Sequence, residues 1–473
     1  MTERDFEFDH SARLVKGLPL GASLIAVALL AGCSFIPAYE RPAAPVPEHF
    51  AGVTDAAASV LPSWRDYFSD PALHTLIQAA LSHNRDLRIA LARVEEARAL
   101  AGVARADRFP TVEAQGSANR ARTPADLTGF GQARTTSRYD LGLGVTAFEL
   151  DFWGRVAALN EAARAQYLAS DEAAKSFRIG LIGDVAGTWL QLTELVERER
   201  LASETLKTRE ESLELIRRRQ DVGLATDLDV LAAEGLTESV RIQWAELKRQ
   251  RMQTENALSL LTGMSITLPQ PANVSTQPAM AELAPGLPSE VLLRRPDVRA
   301  AEQRLIAANA NVGAARAAFF PRISLTGSVG TASSALSGLF DAGSHAWLFQ
   351  PVLKLPLFDA GRTQANLDVA EARKVQAVAD YEKTIQQAFR EVADTLAART
   401  TYGEQLAAQE ANLRAQQARF ERVKAREQAG IASYLEVLDA SREAFSAEQA
   451  MVTSRRQLLS TRVALYKALG GGE

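Results

Sequence analysis

Residues 84–110, NRDLRIALARVEEARALAGVARADRFP, are written again at 295–321 as RPDVRAAEQRLIAANANVGAARAAFFP. Arg93 falls on Arg304, Ala104-Arg105-Ala106 on Ala315-Arg316-Ala317, and Phe109-Pro110 on Phe320-Pro321. Further along, after a four-residue slip, Gly154-Arg155 falls on Gly361-Arg362, Gly223 on Gly430, and Leu228-Asp229-Val230-Leu231 on Leu435-Glu436-Val437-Leu438. The slip lies between Pro110 and Gly154, so the two copies differ by a loop there. A chain built twice from one unit is read as one duplicated architecture rather than as a string of unrelated domains. The reading divides it into residues 1–32, 33–71, a first repeat at 72–263, a proline-rich linker at 264–289 and a second repeat at 290–473.

Proline placement supplies the coarse structure. None occurs from 125 to 268 or from 357 to 473, and long helices are possible only where proline is absent. Ile385, Val392, Leu406, Leu413 and Phe420 keep one seven-residue register broken by Arg399. Val185, Leu192, Leu206 and Leu213 keep it in the first copy, interrupted by Glu199. That period implies left-handed supercoiling. Helices are expected at 155–220 and 362–428, each about 65 residues or roughly 100 Å at ~1.5 Å per residue. Shorter helices are expected at 72–108, 226–262, 290–318 and 434–468. Gly223 and Gly430 end the long helices as left-handed C-terminal residues, and Ser433 with Glu436 reads as a capping box for the next one.

Periodicity alone fits an extended coiled-coil rod equally well. The segments between short and long helices argue for something else. Tyr139 to Val145 (YDLGLGV) and Ile323 to Val329 (ISLTGSV) alternate apolar with small or polar residues, and Trp347, Phe349, Leu353, Leu355 and Leu357 share one face. Four strands are expected, at about 111–120, 139–150, 322–331 and 346–357. Alternation over ~10 residues is the pattern of a membrane-spanning strand; a two-faced sheet packed on helices would show it too. Four strands cannot close, and open edges are not tolerated in lipid. Two chains would give eight strands, a filled barrel, and three would give twelve, with an open lumen. The fold class is therefore mainly α with a transmembrane β-barrel. If the barrel conducts anything, the protein is a trimer and the barrel has 12 strands.

Composition excludes several classes. One cysteine, Cys33, allows no intrachain disulfide, redox pair or cysteine zinc site, and the five histidines are scattered without HxxxH spacing. A net charge of −4 offers no footprint for nucleic acid. GxGxxA at Gly142 to Ala147 lies inside an expected strand and opens no helix, so it is not a dinucleotide site. No P-loop, HExxH or GxSxG is present. The chain is read as a non-enzyme that takes no cofactor.

Residues 18–31 form an apolar run of signal-peptide length, too short to span a bilayer. Acidic residues Glu3, Asp5, Glu7 and Asp9 precede it, unlike a typical positive n-region. It ends in Leu30-Ala31-Gly32-Cys33, which resembles the bacterial lipoprotein processing site. That resemblance implies S-diacylglycerol and N-palmitoyl groups on Cys33, and Ser34 fits sorting to the outer membrane.

Four further motifs extend the likeness: PAYERP at 37–42, WRDYFSDPAL at 64–73, GLPSEVLLRRPDVRAAE at 286–302 and FDAGR at 358–362. With these the mature chain, 33–473, resembles the TolC-like outer-membrane efflux family in its lipoprotein (NodT/OprM-like) branch. Ile36 stands where members usually carry glycine. The resemblance implies a homotrimeric conduit: a 12-strand barrel in outer-membrane lipid, continuing into an α-helical barrel through the periplasm. An inner-membrane transporter of the resistance-nodulation-division (RND) type would power export, joined through a periplasmic adaptor (membrane fusion) protein. It implies adaptor docking at the tips Val222-Gly223-Leu224 and Ala429-Gly430-Ile431. It implies a periplasmic gate at Asp439 and Arg442, with Arg426 and Glu427 as possible additional members; a plain i,i+3 surface pair is the competing reading of Asp439 and Arg442. A type I protein-secretion conduit and a non-conducting lipid-anchored coiled-coil scaffold are the alternative functions.

Overall fold

In a computed structural model of the chain, residues 34–50, 62–129, 131–265, 274, 280 and 289–472 are described. Cys33, the apolar leader and most of the 264–289 linker lie outside the described residues. In chain order the elements are α1 (Trp64–Tyr67), α2 (Pro71–His83), α3 (Arg85–Ala106), β1 (Val112–Thr123), β2 (Arg134–Glu149), α4 (Arg155–Asp221) and α5 (Asp227–Thr262). After these come α6 (Pro296–Ala317), β3 (Arg322–Ser333), β4 (His345–Lys354), α7 (Arg362–Gln428) and α8 (Tyr434–Ala468).

The helix expected over 72–108 is two helices. Asn84 breaks it, with ψ at 130°, because its side chain does two jobs at once. Its Oδ1 accepts from the Leu87 N–H at 2.8 Å, capping α3, and its Nδ2 donates to the Leu261 carbonyl at 2.9 Å. The helix expected over 290–318 starts at Pro296, since a 3₁₀ segment occupies Ser289–Arg294. Proline fits the first helical turn, where its missing N–H costs nothing.

The described chain divides into two units. One comprises 34–39, Ala101–Ala163 and Ala307–Lys374. Its centre is an antiparallel sheet in the order β1-β2-β3-β4. Gly142 lies opposite Gly330, and Gly327 opposite Phe349. A bulge falls between Val145 and Phe148, where Ala147 takes φ 52°. Through the cross-strand partners, Leu141, Leu143, Val329, Trp347, Phe349 and Leu353 share one exposed face, while Gln115, Ser117, Asp140 and Gln350 lie on the other.

The segment after residue 33 is docked on this unit. Phe35 stacks on Phe320 at 4.5 Å between centroids, and Phe320 on Trp153 at 4.9 Å. Asn309 donates to the Pro37 carbonyl at 2.7 Å. Gly313 is required there: a Cβ on it would stand 2.7 Å from the Ile36 Cα.

The second unit comprises Glu40–Leu100, Arg164–Ile306 and Val375–Glu473. Trp189, Tyr67, Phe68, Tyr381 and Tyr466 are fully buried among Leu76, Ile77, Leu190 and Leu192. Trp189 Nε1 donates to Asp70 Oδ2 at 2.8 Å, and Asp70 Oδ1 caps α2 by accepting from the Ala72 N–H at 2.8 Å. Burial pushes the Tyr67 phenol up to about 12, and its hydroxyl donates to the Arg462 carbonyl at 2.8 Å. Buried Glu194 is met by Arg198, Arg456 and the Thr453 hydroxyl, as a buried charge requires. Glu199, which interrupts the heptad, pairs across helices with Arg251 at 2.6 Å. In the second copy Ile385 and Val392 are buried, but Leu406, Leu413 and Phe420 are only half-buried within one chain.

Candidate functional site: the helical tips and the carboxylate beside them

Both long helices end alike. Gly223 has φ 72° and Gly430 φ 73°, a conformation that costs a side-chain-bearing residue ~1 kcal/mol or more. The Gly223 N–H donates to the Gln220 carbonyl and the Leu224 N–H to the Arg219 carbonyl, each at 2.8 Å. The Gly430 N–H donates to Glu427 at 2.9 Å and the Ile431 N–H to Arg426 at 2.8 Å. These paired bonds form the Schellman arrangement. Each following helix opens on a reciprocal capping box, Thr226 with Asp229 and Ser433 with Glu436. Hydrogen bonds from the Thr226 N–H and the Ser433 N–H hold the Asp229 and Glu436 carboxyls below the usual carboxylate range.

Capping consumes the backbone groups of the turns and leaves their apolar side chains outside. Val222, Leu224 and Ile431 are 69%, 77% and 67% exposed, and Leu228 and Leu435 stand exposed one turn further on. Large apolar residues at a tight turn satisfy no requirement of the turn itself, so they are surface available to a partner. Arg219 Nη1 donates to Glu427 Oε1 at 3.0 Å, tying the first tip to the second. Arg426 contributes its carbonyl to the turn, and its charge helps lower the Glu436 carboxyl.

Asp439 stands two turns into α8 and is held on both oxygens. Its Oδ1 accepts from Arg442 Nη2 at 2.7 Å and its Oδ2 from Arg419 Nη2 on α7 at 2.7 Å. Arg442 also reaches Glu443 at 3.2 Å. The i,i+3 pair is thus one side of a three-residue bridge between helices. Arg419 was not singled out by sequence reading, although it immediately precedes the heptad residue Phe420; charged residues flanking a heptad seam are where interhelical pairs form.

Beneath lies Arg209, which is 6% exposed. One of its nitrogens donates to Ser441 Oγ at 3.2 Å, and its Nε has no hydrogen-bond partner. Burial lowers its pKa, as Arg442 nearby also does. Among the described residues no cluster of three metal-ligating side chains occurs, and no helix is long and apolar enough to cross a membrane.

The model of a family described as "Outer membrane efflux protein" matches residues 76–264 and 287–471, one segment in each repeat. The chain is 47% identical over 469 residues to the solvent efflux pump outer membrane protein SrpC of Pseudomonas putida, covering 97% of this chain and 98% of that protein. It is similar to a membrane protein of Pseudomonas aeruginosa in crystal structure, with a TM-score of 0.88 at 44% identity, covering 93% of this chain and 98% of that one. It is likewise similar to the open state of the Neisseria gonorrhoeae MtrE outer membrane channel, with a TM-score of 0.85 at 39% identity, over 93% of this chain and 98% of that one.

Proposed function

From the premise that the chain belongs to the outer membrane efflux protein family, we propose that it is the exit duct of a tripartite efflux pump. It is an outer-membrane channel. In this reading it forms a homotrimer and conducts passively, and a periplasmic adaptor couples it to an inner-membrane RND-type transporter that supplies the energy. The observation that carries the reading is the match of the family to both repeats, in a chain whose sheet has two open edges and an apolar exposed face. The half-buried stretch of heptad on α7 supports assembly, because a repeating apolar seam that one chain leaves uncovered is a surface for another copy. Relatives carry the names of solvent and toluene efflux pump outer membrane proteins, which favours small-molecule export over protein secretion.

Roles follow for the residues described above. Val222, Leu224 and Ile431, raised on turns made by Gly223 and Gly430 beside Ala429, meet the adaptor. Asp439, Arg442 and Arg419 restrain the periplasmic entrance as one charged cluster per subunit. Cys33 carries the acyl chains that hold the N-terminus to the membrane, an anchor that supplements the barrel.

The channel reading is tested by reconstituting the purified trimer in planar bilayers. Ion conductance, small in the wild type and larger in Asp439→Ala with Arg442→Ala, is expected. A protein that stays silent in both forms is the lipid-anchored scaffold instead. Acylation has a separate test. Labelled palmitate is expected in the wild type and absent in Cys33→Ser, and label retained by the variant overturns the lipidation site.

A further inference from the structure

Among the described residues the sheet has two edges with no partner, β1 and β4. Strand edges in hydrocarbon must be closed, and the duplication specifies how. Phe109-Pro110 corresponds to Phe320-Pro321, so at the same spacing Gln115 of β1 corresponds to Thr326 of β3, and Asn119 to Gly330. Gln115 lies opposite Gly142, and Thr326 lies opposite Gln350. Gly142 of β2 and Gln350 of β4 are therefore equivalent positions. The β2 bulge between Val145 and Phe148 absorbs one residue, which is why Gly154 and Gly361 are spaced one position closer than Gly142 and Gln350.

Within the chain, β2 meets β3 with Gly142 opposite Gly330. We infer that β4 meets β1 of the next subunit in the equivalent register, with Gln350 opposite Asn119 of the partner subunit. This seam rests on the trimer reading above and adds its register.

Two observations agree with it. A slip of one residue would turn a whole strand inside out. The inferred register instead sets Leu353 opposite Gly116 of the partner subunit, residues that lie on one face of the existing sheet through their cross-strand partners. It also covers exposed apolar edges. Leu353 itself, 63% exposed in the single chain, thereby gains a neighbouring strand. Lys354 then comes within diagonal reach of Glu113 of the partner subunit, an opposite-charge pair of the kind that stabilises neighbouring strands.

The test is a register-specific disulfide in the full-length protein. Gln350→Cys is combined with Asn119→Cys, and separately with Ser117→Cys as a pair displaced by two residues. Wild type, with Cys33 alone, is the blank. Directly opposed residues lie ~4.5–5.5 Å apart and those displaced by two ~7–8 Å or less at Cβ, so oxidation should link the first pair several-fold more completely, up to a covalently closed trimer. Leu348→Cys with Ala121→Cys, opposed in the same register, repeats the measurement should either first variant fail to assemble. Preferential linking of the displaced pair overturns the seam, as does absence of both links in a protein whose native mass is trimeric. A native mass that is not trimeric overturns the trimer reading itself, and the seam with it.

Discussion

Asp439→Ala is expected to raise the open population of the reconstituted channel on the order of 10-fold. The carboxylate is bonded on one oxygen to Arg442 and on the other to Arg419, so one substitution removes two ion pairs from each subunit. Both arginines and the aspartate are partly exposed, and such pairs contribute about 0.5 kcal/mol each. The i,i+3 pair lies within α8 and is kept when helices move, so only the interhelical pair counts; three of these in a trimer amount to ~1.5 kcal/mol, about one decade in a closed-to-open ratio. The loss also leaves Arg419 and Arg442 facing each other, and buried Arg209 beneath them, so repulsion adds to the opening.

Single-channel recording in planar bilayers measures the effect directly. Screening gives an independent check, because added salt weakens exposed ion pairs. Wild-type open probability should therefore climb with ionic strength, while that of the variant, which has lost the pairs and keeps only the arginine repulsion, should fall. Equal open probability in the two proteins at low salt would remove Asp439 from the gate and leave it a surface ion pair.

Trp189→Ala destabilises the helical unit by about 3–5 kcal/mol, the range for deleting a fully buried aromatic side chain. Trp189 is 1% exposed and packs in the core with Leu76, Ile77 and Tyr466. Its indole N–H is also one of two donors to the Asp70 carboxylate, which otherwise caps α2. Truncation leaves a cavity and removes a partner from that carboxylate together. Trp189→Phe separates the two effects: it keeps most of the packing and loses the hydrogen bond, so its cost should be only ~1–2 kcal/mol. Thermal unfolding followed by far-ultraviolet circular dichroism at one scan rate ranks the three proteins. Equal loss in Ala and Phe variants would mean that the Asp70 bond, rather than the ring's volume, holds this region together.

The tips show how legible a local feature is in a sequence. Gly223 and Gly430 could be placed at helix ends because a left-handed residue is needed there and glycine takes that conformation without strain. Ser433 and Glu436 could be placed at the next start because a capping box spans only three residues. Long-range partners were not legible. Arg219 reaches Glu427, and Asn84 reaches Leu261, across separations in the chain that no local period encodes. The break at Asn84 was missed for that reason. Asparagine inside an apolar-periodic stretch reads as a tolerated helical residue, and only the nearby Leu261 carbonyl makes a kink the better arrangement.

The sequence by itself determined the duplication, the long proline-free helices, the alternating strands, the glycine turns and the resemblance that named the family, since each rests on residue type at short spacing. Tertiary structure alone decided which charges meet. Asp439 could pair with Arg442 from spacing, but Arg419 joins it only because α7 and α8 fold back on each other. The stacking of Phe35 on Phe320 and of Phe320 on Trp153, and the seating of Ile36 on Gly313, likewise depend on surfaces more than a hundred residues apart in the chain. A contact of that kind is set by how the elements pack, and packing is a property of the folded whole rather than of any stretch of residues.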